Sequence, residues 1–130
     1  MSNVKLSNTG KERLSSVNEK LQKVVLKSFE YMPFDVTITE GIRTIEKQKE
    51  YVNKGVSWTM NSKHITGNAI DMVPYPIDWK DRARFEKMAI AMFKASEELN
   101  IPIRWGGTWS NKVDGWIYNK KLDMPHFELI

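Results

Sequence analysis

Apolar residues recur at helical spacing over residues 8 to 31, where Leu14, Val17, Leu21, Val24 and Val25 stand among charged neighbours. That is the arrangement of one buried helix face. The period then changes: Phe34, Val36 and Ile38 alternate with Asp35, Thr37 and Thr39, which predicts a half-buried strand ended by Gly41. Thr44 is placed to cap a short helix that reaches about Tyr51 and stops near Gly55. Residues 54 to 67 hold few apolar side chains and two glycines, and read as a loop leading into a strand over 68 to 73 that Pro74 and Pro76 close. Asp78 is expected to cap the next helix, with Asp81 completing a capping-box-like start. There Phe85, Met88, Ala89, Met92, Phe93 and Leu99 form the broadest apolar stripe in the chain. Three short strands are expected after it, over residues 101 to 105, 115 to 118 and 125 to 130, separated by turn-rich stretches.

Helices come mostly first and strands mostly last. This segregation predicts an α+β fold with a small antiparallel sheet packed against helices, and argues against a doubly wound parallel sheet. A length of 130 residues fits one domain over 1 to 130. No apolar run approaches the ~20 residues of a membrane span. The first residues lack the apolar stretch of a secretory signal, so synthesis in a cytoplasm is the expectation.

Composition narrows the chemistry. The chain has no cysteine, which excludes disulfides, thiolate metal sites and a cysteine nucleophile. Any metal must be held by His, Asp or Glu. A net charge of +4 favours a polyanionic partner such as nucleic acid, an anionic membrane surface or an acidic wall polymer, although a modest excess of this kind also suits an ordinary solvated surface.

Only two histidines are available, His64 and His126, and each has acids nearby. His64 precedes Asp71 by seven positions, and Asp71 lies in the apolar run Ala69-Ile70-Asp71-Met72-Val73. A carboxylate in such a run needs a partner. Two histidines, one carboxylate and an open position for water make a common catalytic zinc set, and His64, Asp71 and His126 supply it. Residues seven apart on a regular strand face opposite sides, so this set requires a bend, for which Gly67 is suitably placed. Asp123 lies three before His126 and is the candidate general base, provided that a turn at Met124-Pro125 aims both into one cleft. Glu128 shares a strand face with His126 and could orient its ring; a solvated edge acid is the ordinary alternative. WGGTWS places Trp105 and Trp109 beside two glycines, either as a cleft wall approached by substrate or as core packing.

SKHITGNAIDMV, followed by WGGTW and DMPHFEL, resembles the catalytic signature of the zinc peptidase family that contains D-alanyl-D-alanine carboxypeptidases and L-alanyl-D-glutamate endopeptidases. The similarity is closest to the phage endolysin branch and spans about residues 34 to 130. The matching positions are Ser62, His64, Gly67, Ala69, Asp71, Asp123 and His126. The resemblance implies a D-alanyl-D-alanine carboxypeptidase/hedgehog-like fold, Zn2+ held by His64, Asp71 and His126, and Asp123 as catalytic acid/base. It also places Arg43 and Gln48, from TEGIRTIEKQ, near the substrate, with Arg43 on an oxyanion or a substrate carboxylate and Ser62, Trp105 and Trp109 as further contacts. Carboxypeptidase and dipeptidase members commonly carry glutamate where this chain has Asp123, so the shorter acid leans toward an endopeptidase.

The implied function is hydrolysis of the L-alanyl-D-glutamate bond in the peptidoglycan stem peptide by a monomeric lysin. It would be made in a host cytoplasm and released to the wall by a separate membrane-permeabilising protein, with no nucleic acid partner and no stable membrane association. The competing expectations are a D-alanyl-D-alanine carboxypeptidase or dipeptidase of the same fold, and a non-enzymatic basic module that binds wall polymer or nucleic acid.

Overall fold

The structure, a computed structural model, describes residues 5–55, 63–113 and 123–130. Its elements in chain order are α1 (Asn8–Ser15), α2 (Glu19–Ser28), β1 (Val36–Glu40), α3 (Ile45–Asn53), β2 (Ala69–Pro74), α4 (Arg82–Leu99), β3 (Ile103–Trp105) and β4 (His126–Leu129). The strands form one antiparallel sheet in the order β1-β2-β4-β3. The α+β expectation holds.

The continuous helix expected over 8 to 31 is two helices. Ser7 caps α1 by accepting from the Gly10 amide, and Asn18 caps α2 by accepting from the Lys20 amide. Between them the Asn18 N–H donates to Gly67 O at 2.8 Å, a long-range bond that draws this amide out of a helical ladder. The apolar face survives the break, since Leu14, Val17, Leu21, Val24 and Val25 are all buried in one core. Asp78 does not cap α4. It accepts from the Lys80 amide in the preceding turn, and Asp81 is the cap. Both acids satisfy backbone donors, one turn apart. The strand expected over 115 to 118 lies outside the described residues.

Alternation divides the sheet into two unlike faces. Across one face run the pairs Ile38 with Met72, Ile70 with Phe127, and Phe127 with Trp105. These five side chains join α1, α2 and α4 in the core, where α2 and α4 pack against each other. The other face carries Asp71 opposite His126, and Glu128 opposite both Ala69 and Arg104. A slip of one residue between β2 and β4 would exchange the faces. Burial of Ile70, Met72 and Phe127 therefore sets the register that brings Asp71 to His126.

Candidate functional site

His64, Asp71 and His126 converge. His64 Nε2 lies 3.1 Å from Asp71 Oδ1, His126 Nδ1 lies 3.3 Å from the same oxygen, and the two ring nitrogens are 3.2 Å apart. The cross-strand pairing places two of the three. The third arrives on the turn before β2, where Gly67 adopts φ +78° and donates its N–H to His64 O. This is the bend that the sequence spacing requires.

Outer partners decide what these nitrogens present. His64 Nδ1 is 3.0 Å from Gly41 O, and a carbonyl can only accept, so Nδ1 carries the proton and Nε2 faces inward with a lone pair. His126 Nε2 is 2.8 Å from Glu128 Oε1, so its neutral ring likewise turns an Nδ1 lone pair inward. Two lone pairs and a carboxylate then meet at a largely buried point. A cation is the natural complement. Four-coordinate tetrahedral N/O sites with bonds of ~2.0–2.1 Å hold their donor atoms roughly 3.3 Å apart, close to the three separations here. The donor set fits a small divalent metal.

Without a metal, a proton takes the cation's place. Burial alone would drive the His126 ring down, but hydrogen bonds to Asp71 and Glu128 carry it from 6.5 up to about 9. Burial would raise Asp71, yet its bond to the protonated His126 ring holds it well below the usual carboxylate range. Glu128 is opposed by burial in the same way, and His126 and Arg104 bring it from 4.5 to about 2. The signs give a testable pH profile. A raised histidine contributes stability that is complete below 6.5 and lost as pH climbs to about 9, worth up to roughly 3 kcal/mol. The depressed Glu128 contributes above 4.5 and is lost toward about 2. Thermal melts of chelated protein should therefore fall between pH 6.5 and 9, and saturating divalent metal should remove that fall. A chelated chain equally stable at both ends of this interval would contradict the proton's role.

Asp123 stands at the rim, with Oδ2 3.9 Å from His126 Nδ1 and its side chain 37% exposed. Burial and the Asp71 charge push it up to about 6, against the pull of His126, His64 and Arg43. It reaches the triad through the expected turn at Met124-Pro125, closed by the His126 N–H donating to Asp123 O. Arg43 sits on the far side of the His64 turn, its N–H donating to His64 O at 2.8 Å. Its guanidinium is largely buried and pairs through Nε with Glu40, donates from Nη1 to Gln48 Oε1 at 2.6 Å, and lies over the Tyr51 ring.

The family of phage L-alanyl-D-glutamate peptidases matches residues 1–130. The chain belongs to that family. The L-alanyl-D-glutamate peptidase of Escherichia phage T5 is 36% identical over 134 residues, covering 97% of this chain and 98% of the relative. That of Listeria phage A118 is 40% identical over 83 residues, covering 62% of this chain and 28% of its own length. Among solved structures, the Serratia marcescens L-Ala D-Glu endopeptidase ChiX superposes with a TM-score of 0.82 at 30% identity, covering 98% of this chain and 92% of that one.

Within this peptidase fold, the residues expected to contact substrate differ in burial. Trp105 is fully buried: its indole donates to Met124 O at 2.7 Å and its ring stacks on Phe127. For Trp105 the core packing applies, and it braces the turn between Asp123 and His126 from beneath. Gln48 is equally buried and reaches Arg43. Trp109 remains at the surface of the site, with φ 54° and its ring 5.3 Å from that of His126. Ser62 lies outside the described residues.

Other contributors carry little sequence signal. Gly41 supplies the carbonyl for His64, and a Cβ there would meet Arg13 O at 2.2 Å. Gly106 donates its N–H to His126 O and accepts from the Asp123 N–H, and a Cβ on it would meet Asp123 O at 2.2 Å and His126 Cβ at 3.0 Å. The close approach is to the chain's own Asp123–His126 turn, not to substrate. Gly106→Ala should displace both residues; a shift of ~1 Å costs about 10²-fold in rate, alongside ~1–3 kcal/mol of overpacking. Turnover and melting temperature of the variant would check this, and parental turnover would show that the turn tolerates the methyl.

Proposed function

We propose that this chain hydrolyses the L-alanyl-D-glutamate bond of the murein stem peptide as a zinc peptidase, with His64, Asp71 and His126 holding Zn2+ and Asp123 serving as acid/base. The observation that carries the reading is the convergence of two imidazole lone pairs and one carboxylate at 3.1 to 3.3 Å, each imidazole fixed from outside by an acceptor. When bound, zinc supplies a Lewis acid for the scissile carbonyl and lowers the pKa of water to about 7.

The chain's own residues do the rest. Asp123 takes a proton from the attacking water as its oxygen bonds to the alanyl carbonyl carbon, then delivers that proton to the glutamyl nitrogen as the C–N bond breaks. Arg43, oriented by Glu40, Gln48 and Tyr51, offers a fixed cationic donor for the developing oxyanion or a substrate carboxylate. Trp109 and Ser62 contribute contacts to the peptide. The net positive charge lengthens residence on an anionic wall.

We further propose a single catalytic domain that works as a monomer on peptidoglycan and reaches the wall with the help of a separate membrane-permeabilising protein. Metal analysis joined to murein digestion tests the enzymatic reading. Purified protein should hold one zinc per chain, and chelation should abolish digestion, with restoration on adding zinc. New alanine carboxyl ends and glutamate amino ends should appear together. Release of free D-alanine would assign the chain to carboxypeptidase chemistry on the same site, and activity that survives complete removal of metal would overturn the mechanism.

A further inference from the structure

We propose that Glu128 is the positioning residue for His126. The inference rests on the zinc reading above and extends it to residues beyond the donor set.

The two carboxylate oxygens have separate partners. Oε1 faces His126 Nε2 at 2.8 Å, while Oε2 accepts from Arg104 Nη2 at 2.7 Å and faces Lys63 Nζ at 3.3 Å. Glu128 is 5% exposed, and a carboxylate so placed requires this full complement. Its place comes from the register, opposite Arg104 on β3 and Ala69 on β2. The short alanine side chain leaves that face of the sheet open for the carboxylate and the ring beside it.

Of the two neutral tautomers of an imidazole, only the Nε2–H form keeps the Nδ1 lone pair. An ionised carboxylate accepts and cannot donate, so Glu128 selects that form and sets the ring plane. The opposite tautomer would aim an N–H at His64 Nε2 and could not ligate. Lys63 adds a constraint of its own. It directly precedes His64, donates to Leu129 O and pairs with Glu128, which straps the turn bearing one imidazole to the strand bearing the other. A purely structural ion pair between Arg104 and Glu128 would account for Oε2 and leave the position of Oε1 unexplained.

The test compares the full-length parent with Glu128→Gln, Glu128→Ala and Arg104→Met by three measurements. These are zinc Kd from chelator competition, the hydrogen-bonded His126 Nε2–H resonance, and the melting temperature of the chelated proteins. Glu128→Ala should weaken zinc binding by about 10–100-fold and lose the protected Nε2–H resonance. Glu128→Gln keeps an oxygen in place and should recover part of both. Arg104→Met should change Kd by less than about fivefold, because it removes a half-exposed pair and leaves Oε1 on the ring. Parental Kd and ring resonance in both Glu128 variants, whatever their melting temperatures, would make Glu128 an ion-pair residue and overturn this inference alone. A parent that binds no zinc would overturn the metal reading itself and this inference with it.

Discussion

Asp123→Asn is expected to lower turnover by about 10²–10⁴-fold, roughly 3 to 5 kcal/mol of transition-state stabilisation, while zinc content and fold stay as in the parent. Asparagine matches aspartate in shape, and the turn that carries it is held by backbone groups: Asp123 N to Gly106 O, and His126 N to Asp123 O. Neither bond depends on the carboxyl group. The carboxylate has no short contact to the triad either, lying 3.9 Å from His126 Nδ1, so its removal takes no ligand from the metal. What is lost is the ability to receive a proton and return it. The acid is suited to that task, because burial and the neighbouring Asp71 charge hold it at about 6 in the absence of metal, and a cation in the triad pulls it lower and favours the base form. Asp123→Glu keeps a carboxyl group but advances it by a methylene, and should fall between parent and Asn. Single-turnover digestion with quantified zinc separates the two effects. An Asn variant that digests murein within a few-fold of the parent would remove Asp123 from the reaction.

The parts of this site that sequence makes legible are those governed by local period and turn chemistry. Asp71 stands out because it interrupts an apolar run, and the 2-residue period of β2 places it on the face opposite Ile70 and Met72. Gly67 and Pro125 mark the two departures from regularity that the site needs. What stays hidden depends on pairing between distant segments. Nothing near Asn18 announces that its amide goes to Gly67, so the helical pattern over residues 8 to 31 runs on through a break. The burial of Arg43 and Gln48 is hidden until Glu40 and Tyr51 are seen around the guanidinium and Gln48 beside it. Trp105 and Gly106 are adjacent in sequence and serve the same turn, one as a brace and the other as a backbone clamp, yet their role follows only from a β4 that returns between β2 and β3. The sheet order is non-sequential, and no local rule carries it.

Asp71→Asn should separate metal affinity from stability. With the carboxylate gone, the proposed zinc site loses the anionic member of its donor set and Kd should rise on the order of 10²-fold or more, as expected when one of three protein donors of a site worth ~10–16 kcal/mol is weakened. The metal-free protein should respond in the opposite sense at high pH. Above about 9 the parent has shed the His126 proton, leaving a carboxylate and two imidazole lone pairs facing one another within 3.1 to 3.3 Å. An asparagine amide can donate N–H bonds to both nitrogens, so the chelated variant should be at least as stable as the parent there, and the parental loss of stability between 6.5 and 9 should shrink because the raised histidine no longer has Asp71 as a partner. Thermal melts of chelated proteins across that interval, paired with zinc competition titrations, read both effects. If the variant bound zinc like the parent, Asp71 would not be a ligand. If it lost zinc and was also less stable at every pH, the carboxylate would be stabilising the fold in its own right, and the triad would not be a cluster whose mutual repulsion is tolerated for the sake of the metal.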